Sequence, residues 1–272
     1  MVVFPNAKIN LGLNVAERRP DGYHNLETVF YPVGLCDVLE VLPGDAFEFS
    51  SSGIVIDSDT DNNLVVKAFR LLEGEFGLPP VRIHLHKVIP LGAGLGGGSS
   101  DAAWMLKVLS QMFRLNLDRQ RLIRYAATLG ADCPFFIDNQ PAYASGIGDI
   151  LTPEEVSLDK FSLVIVKPPV SVNTGWAYRS IQPCRSAIPV RECVGMPVET
   201  WQGKLVNDFE IPVFQRFPEI EAIRDQLYDM GALYASMSGS GSSVYGIFGG
   251  KSPGLRLKFP GDYFVFCQEH RT

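Results

Sequence analysis

The sequence lacks the features that mark membrane, disulfide-stabilised and structural zinc proteins. No run of 18 apolar residues occurs, and the N-terminal stretch MVVFPNAKINLGLNV has no basic leader followed by a continuous apolar segment. The five cysteines, at positions 36, 133, 184, 193 and 267, are odd in number and form no C-x-x-C pair. We therefore predict free thiols, a cytoplasmic location, no signal peptide and no membrane partner.

Long basic runs are also absent, and the formal net charge is -6. This balance argues against nucleic acid as the main partner, although local phosphate binding stays possible. Hydrophobic residues make up 46% of the 272 residues and charged residues 20%, which is ordinary globular usage. The length allows one large domain or two modest ones, and leaves the oligomeric state open.

The pattern of apolar residues predicts a mixture of strands and helices without strict alternation, which favours an α+β fold. Alternation predicts a strand over 8–15, and helical spacing predicts a helix over 64–76. Asp118 and Gly130 delimit a second helix, and residues 182–197 have no regular pattern. Because Gly148 to Lys160 is polar and contains a proline, we predict domains at 1–150 and 151–272.

A glycine-rich loop, LGAGLGGGSSD, stands between a predicted strand and a predicted helix. Glycines let backbone N–H groups approach an anion, and a helix start favours phosphate. A flexible surface loop is the alternative interpretation. The five glycines are Gly92, Gly94, Gly96, Gly97 and Gly98.

Two familiar nucleotide motifs can be compared with this loop. Gly92-x-Gly94-x-x-Gly97 matches the dinucleotide fingerprint, which also needs a following strand with an acid about 20 residues on. Asp118 has that distance but stands between two helical patterns. The Walker pattern fails, because no Gly-Lys-Ser/Thr follows the glycines.

Five motifs in order resemble those of the GHMP kinases (galactose, homoserine, mevalonate and phosphomevalonate kinases). They cover most of residues 4–150 and resume around 163–178 and 205–248. Three are typical of the whole family, and DGYH and GADCPFF resemble a branch that acts on a cytidine diphosphate sugar alcohol. The motifs are PNAKINL (5–11), RPDGYH (19–24), PLGAGLGGGSSDAA (90–103), GADCPFF (130–136) and MSGSGSS (237–243).

The resemblance implies a two-domain α+β fold with the site between the domains. The N-terminal half would be like ribosomal protein S5 domain 2, and the C-terminal half ferredoxin-like. It also implies that ATP, as its magnesium complex, donates a phosphoryl group to a hydroxyl of that small-molecule substrate. Asp132 would be the general base and Lys8 its cationic partner.

The resemblance further assigns residues to the nucleotide and to the acceptor. Asn63 could equally cap the helix at 64–76, and Ser99 with Ser100 could be plain caps. Tyr178 could be helix core. The predicted ATP-binding residues are Asn63, Pro90, Gly92, Gly94, Leu95, Gly96, Gly97, Gly98, Ser99 and Ser100. The predicted acceptor-binding residues are Asn10, Tyr23, His24, Thr174 and Tyr178.

Other residues that could carry chemistry have simpler interpretations. His84 and His86 alternate on a predicted strand, where a polar face is favoured over a metal site. Cys133 follows Asp132 but is expected to pack as a small apolar side chain. Three rival functions stay open: a mevalonate or homoserine type of GHMP kinase, an NAD-dependent oxidoreductase, and a non-catalytic nucleotide-binding module.

Overall fold

The computed structural model describes residues 1–56, 59–181, 188–250 and 258–270. The chain forms two compact units that alternate along the sequence. The first unit contains Met1–Lys8, Pro32–Leu91 and Gly96–Gln140. The second unit contains Ile9–Tyr31, Gly92–Leu95 and Pro141–Thr272. The division into residues 1–150 and 151–272 stays a prediction.

The described residues contain strands and helices in a mixed order, which confirms the α+β class. The strands are β1 (Val2–Val3), β2 (Asn6–Arg18), β3 (His24–Cys36), β4 (Val38–Pro43), β5 (Glu48–Gly53), β6 (Val81–Lys87), β7 (Ala142–Ser145), β8 (Ile150–Pro153), β9 (Phe161–Lys167), β10 (Tyr234–Met237), β11 (Val244–Gly249) and β12 (Phe264–Gln268). The helices are α1 (Leu64–Phe76), α2 (Gly97–Met112), α3 (Arg119–Leu129), α4 (Phe135–Asp138), α5 (Thr174–Ser180), α6 (Val190–Val194), α7 (Glu210–Arg216) and α8 (Pro218–Asp229). Short 3-10 turns lie at Thr60–Asn62 and Val198–Thr200.

The first unit combines a four-stranded sheet with helices α1 to α4. The strand order is β1-β4-β6-β5, with β5 parallel to β6 and the other pairs antiparallel. Along β6 the apolar Val81, Ile83 and Leu85 are buried, as their alternation predicts. Helices α1 and α2 pack against each other, and α3 packs against both. The end of β6 and the start of α2 are thereby fixed within one compact unit.

Local signals in the sequence explain where several helices begin. The Asn63 side chain accepts a hydrogen bond from the Val65 N–H and caps α1. Asp118 caps α3 in the same way, by accepting from the Arg121 N–H at 2.8 Å. Pro218 occupies the first turn of α8, where its missing N–H costs nothing.

The second unit contains most of one sheet and all of another. The first sheet has the order β2-β3-β7-β8, and strands β2 and β3 contribute residues to both units. The second sheet has the order β10-β11-β9-β12 and is antiparallel throughout. Its core joins side chains from β2, β9, β11 and helices α7 and α8, among them Leu13, Val164, Val213, Ile223 and Val244.

One sequence prediction about this unit is wrong in part. Residues 190–194 form helix α6, although the sequence indicated irregular structure over 182–197. Val190, Cys193 and Val194 have the spacing of one helix face and are buried, but five residues are too few to show a period. Residues 182–187 lie outside the described residues. Among the residues that are described, no helix has the length and apolar character needed to cross a membrane.

Candidate active site

The glycine-rich loop, called the phosphate loop below after its predicted role, spans residues 90–96 between β6 and α2, which begins at Gly97. Gly96, just before the helix, has a φ of 69°, a left-handed conformation that only glycine adopts at little cost. A Cβ at this position would lie 3.0 Å from Phe136 Cζ and 3.1 Å from Lys8 Cγ. Gly96 is therefore needed both for the backbone turn and for the close approach of Lys8.

The start of α2 has the groups that a nucleotide phosphate needs. The first N–H groups of this 16-residue helix have no intrahelical acceptor, and the helix dipole favours an anion there. Ser100 Oγ is buried and has no hydrogen-bond partner among the described residues. In the preceding loop, a Cβ at Gly92 would meet no atom within 4 Å. The free N–H groups at the start of α2 are donors that can hold an ATP phosphate.

The predicted catalytic pair is brought together in the first unit. Lys8 Nζ lies 3.5 Å from Asp132 Oδ2, and the lysine side chain is 4% exposed while the aspartate side chain is 37% exposed. Lys8 is on β2, and Asp132 is in the turn between α3 and α4. A turn bond from the Cys133 N–H to the Gly130 carbonyl fixes this segment. The cation is buried, whereas the carboxylate is accessible.

Electrostatics distinguish the roles of these neighbours. Burial lowers the pKa of the Lys8 ammonium, and the negative charge of Asp132 opposes this shift. Burial raises the pKa of the Cys133 thiol to about 11, against a hydrogen bond with Ser99. Cys133 therefore stays a thiol near neutral pH and is a poor nucleophile. Its burial agrees with the packing role predicted from the sequence.

In the second unit, the C-terminal glycine motif holds a turn of the phosphate loop. Ser238 Oγ donates to the Gly94 carbonyl at 2.8 Å, and the Ser243 N–H donates to the Ala93 carbonyl at 3.2 Å. The Asn10 N–H donates to Ser238 Oγ at 3.2 Å. The Asn10 side chain also donates to Thr28 Oγ1 at 3.0 Å. Asn10, predicted to contact the acceptor, thus also supports the loop.

A buried asparagine that was not predicted from the sequence supports this motif. Asn207 is buried, and its Nδ2 donates to the carbonyls of Met237 and Gly239 at 2.7 and 2.9 Å. Its Oδ1 accepts from the Phe209 N–H. The glycine motif was recognised in the sequence, but nothing in the sequence paired it with an asparagine 30 residues earlier.

Three of the predicted acceptor-binding residues, His24, Tyr178 and Thr174, make side-chain contacts within the second unit. The rings of His24 and Tyr178 are stacked, with centroids 5.2 Å apart and planes 23° apart. Tyr178 also packs edge-on against Phe209, so it belongs partly to the core. Thr174 Oγ1 and Ser240 Oγ share a hydrogen bond of 3.0 Å, and Tyr23 is 62% exposed.

The remaining predicted nucleotide residues are placed as follows. Asn63 caps α1, which is the structural alternative weighed for it, and a nucleotide contact stays a prediction. Pro90 and Leu95 are buried, and Ser99 is half-buried. Asp118, the acid that a dinucleotide fingerprint requires, caps α3, and α2 is followed by a helix instead of a strand. The oxidoreductase interpretation of the glycine loop therefore fails.

No group of three His, Cys, Asp or Glu side chains able to hold a metal occurs among the residues that the structure describes. His84 hydrogen-bonds Ser50 and Ser52, and His86 hydrogen-bonds Ser52. These histidines lie on a polar face of the sheet, which is the interpretation that was favoured over a metal site.

Comparison with known proteins identifies matches to both halves of the chain. The model of the GHMP kinases N terminal domain matches residues 63–146, and that of the GHMP kinases C terminal matches residues 199–258. A protein of Bacteroides fragilis (strain YCH46), named 4-diphosphocytidyl-2-C-methyl-D-erythritol kinase, is 53% identical over 271 residues and 98% of each chain. A protein of the same name from Bacteroides thetaiotaomicron is 54% identical over 252 residues, 91% of this chain and 92% of the relative.

Solved structures agree with these matches. A crystal structure of 4-(cytidine 5'-diphospho)-2C-methyl-D-erythritol kinase has a TM-score of 0.82 and 34% identity over 98% of both chains. A crystal structure of mevalonate kinase has a TM-score of 0.74 over the whole of both chains at 12% identity, which shows the shared fold alone. The expected two-domain α+β fold is confirmed. Since relatives half identical to it span nearly its whole length, and both halves of the family model match in order, the chain belongs to the GHMP kinase family.

Proposed function

We propose that this protein uses ATP to phosphorylate the 2-hydroxyl of 4-diphosphocytidyl-2-C-methyl-D-erythritol in the non-mevalonate isoprenoid pathway. The substrate is inferred from the names of relatives that are 53% and 54% identical to this chain. The observation that carries the chemistry is the Lys8–Asp132 ion pair, beside the glycine that precedes α2. A cytoplasmic location and the absence of a nucleic-acid partner stay predictions from the sequence.

Asp132 is the group that would orient the acceptor hydroxyl and take its proton. Its carboxylate is partly exposed, so a substrate oxygen can reach it, and the buried Lys8 ammonium lies 3.5 Å from its Oδ2. The same ammonium can stabilise negative charge that develops on the transferring group. One acid–base group typically contributes roughly 10²–10⁴-fold to a rate. This assignment predicts that Asp132 acts on turnover more than on binding.

Bound ATP supplies the phosphoryl group, and this chain supplies the groups that hold it. The free N–H groups at the start of α2 fit phosphate oxygens. Magnesium usually binds through one or two protein oxygens together with phosphates and waters.

Recognition of the cytidine end is assigned to the aromatic residues of the second unit. A base can stack on an aromatic ring, and His24 with Tyr178 provides stacked rings next to the exposed Tyr23. Burial and the charge of Arg18 lower the pKa of His24, so its imidazole is neutral at pH 7. A neutral imidazole has one donor and one acceptor for the edge of a base.

A substrate panel tests the proposal. The purified protein is incubated with magnesium and ATP, and ADP release is measured with the cytidine substrate, with mevalonate, with homoserine and without acceptor. The product is identified by mass spectrometry and phosphorus NMR, with Asp132→Asn as the matched inactive control. We expect turnover with the cytidine substrate alone. Turnover with mevalonate or homoserine at a comparable kcat/KM would transfer the assignment to another member of the family.

A further inference from the structure

Three buried charged residues connect the two ends of the phosphate loop within the first unit. Lys87 ends β6, Asp37 lies between β3 and β4, and Asp101 is the fifth residue of α2. All three are at most 2% exposed. Buried charges are costly unless they are paired, so their position needs a physical reason.

Asp37 fixes the segment that enters the loop. Its Oδ1 accepts from the backbone N–H groups of Val88 and Ile89 at 2.6 and 2.8 Å. Its Oδ2 accepts from the Lys87 ammonium. One carboxylate therefore holds three successive residues immediately before Pro90.

Lys87 carries this connection across to the helix that leaves the loop. Its Nζ donates to Asp101 Oδ2 at 2.9 Å. A Cβ at Gly97 would lie 2.9 Å from the same Nζ and 2.8 Å from Ile89 Cγ2. The first residue of α2 thus rests directly on the ammonium, and a larger residue there would displace it.

In the part of the chain that the structure describes, only one of the two carboxyl oxygens of Asp101 has a hydrogen-bond partner. This incomplete pairing argues for a positioning role and against a purely stabilising one. Its Oδ1 is buried without a hydrogen-bond partner among the described residues. Two carboxylates share one ammonium, so full ionisation leaves an uncompensated negative charge. Burial raises the pKa of Asp101 to about 7; Lys87 opposes the shift and Asp37 adds to it. A buried carboxyl with an unpartnered oxygen costs stability, so a stabilising role alone does not account for Asp101.

We propose that Lys87, Asp37 and Asp101 are positioning residues that hold the start of α2 against the entry to the phosphate loop, so that its N–H groups are preorganised for ATP. This inference rests on ATP being the nucleotide of the proposed function. None of the three needs to touch the nucleotide. Preorganised donors bind without the cost of ordering the loop.

The experiment measures ATP binding by calorimetry without acceptor, so it does not depend on the identity of the substrate. Asp101→Ala removes the tie to α2 and leaves Lys87 paired with Asp37. We expect the Kd for ATP to rise about tenfold. The free energy of unfolding at pH 7.5 should not fall, because the variant lacks the buried carboxyl oxygen that has no partner among the residues described. Asp101→Asn keeps an acceptor for Lys87, and we expect it to restore the Kd to within threefold of the wild type.

Asp138→Asn is the matched control, since Asp138 pairs with Arg119 on the exposed surface of the same unit. If Asp101→Ala does not fold, Asp37→Asn replaces it, with the same expected rise in Kd. An ATP Kd within twofold of the wild type in the folded variant would overturn the inference. So would an Asp101→Asn variant as weak as Asp101→Ala. Wild-type ATP binding without phosphorylation of the cytidine substrate would refute the proposed function and leave this inference standing.

Discussion

Lys8 and Asp132 form an ion pair whose two members differ ninefold in exposure, at 4% and 37% of their side chains. The lysine side chain is buried on β2, with its Cγ and Cε close to the glycine that precedes α2, while the carboxylate lies in an accessible turn. Only Asp132 can therefore meet an incoming hydroxyl without a rearrangement of the first unit. In the proposed mechanism, Lys8 acts on the reaction through its charge.

Replacement of the carboxylate tests the proposed base. We expect Asp132→Asn to reduce kcat by roughly 10²–10⁴-fold, because the amide cannot accept the proton of the acceptor hydroxyl. The Kd for ATP and the KM for the acceptor should stay within threefold, since the shape of the side chain is kept. Stopped-flow and steady-state measurements of ADP release provide the rates. A kcat within threefold of the wild type would mean that positioning and electrostatics suffice without a base.

The glycine before α2 allows a test of the loop itself. We expect Gly96→Val to weaken ATP binding at least tenfold and to lower kcat, because its backbone is left-handed and its Cβ would press on Lys8 and Phe136. Calorimetry with ATP and circular dichroism separate binding from folding. Gly74→Ala is the control: a Cβ there meets no atom within 4 Å, and alanine in α1 should raise stability by about 0.5–1 kcal/mol. Unchanged ATP affinity in Gly96→Val would remove this position from the nucleotide site.

The parts of the site that could be predicted from sequence are those with local signals. Caps such as Asp118, the run of glycines and the family motifs each lie within a short stretch, and the structure places Lys8 beside Asp132 as the resemblance implied. The helix α6 was missed because one turn gives no period. Its neighbours at 182–187 lie outside the described residues.

The supporting contacts could not be predicted, because they join residues far apart in the chain. Ser238 reaches Gly94 across 144 positions, and Lys87 meets Asp37 across 50. A lysine at the end of a strand normally reads as an exposed residue, since burial of a charge depends on partners that the linear pattern does not reveal. The order of strands β4 and β6 in the sheet decides that Asp37 and Lys87 meet.

The buried carboxyl of Asp101 predicts a pH dependence of stability. Its pKa is raised from 3.8 to about 7 in the folded protein, so between these values the folded chain holds a proton that the unfolded chain has released. Stability attributable to this group therefore falls as the pH rises from about 4 to about 7, by at most about 1.4 kcal/mol per pH unit. Urea unfolding of the wild type and of Asp101→Asn at pH 5.5 and 7.5 measures the effect.

We expect the free energy of unfolding to fall more between pH 5.5 and pH 7.5 in the wild type than in Asp101→Asn. Other buried acids, such as Glu210 with its raised pKa, are present in both proteins and cancel in the comparison. Identical pH dependence in the two proteins would mean that Asp101 stays ionised when folded and that Lys87 compensates both carboxylates.

The proposed function assigns selectivity for cytidine to the aromatic residues of the second unit. Stacking on one aromatic ring is worth about 1–3 kcal/mol per base, so Tyr23→Ala should raise the KM for the cytidine substrate by roughly ten- to a hundredfold. The KM for ATP should be unchanged. Because Tyr23 is 62% exposed, the fold should not suffer, and Phe4→Ala, at a residue 60% exposed, is the matched control. Methylerythritol phosphate that is phosphorylated as well as the cytidine substrate would exclude a cytidine pocket.

His24 adds a pH signature to the same prediction. Burial and Arg18 hold its pKa below the ordinary 6.5, so the imidazole is neutral at pH 7–8 and the KM for the cytidine substrate should be constant there. As the pH falls through this lowered pKa, protonation leaves two donors and no acceptor and adds a cation near Arg18, so we expect this KM to rise. His24→Gln should remove the rise, because its amide does not titrate, while the KM for ATP follows the same profile in both proteins. A rise of equal size in His24→Gln would assign the titration to another group and leave Tyr23 with Tyr178 as the base-recognising residues.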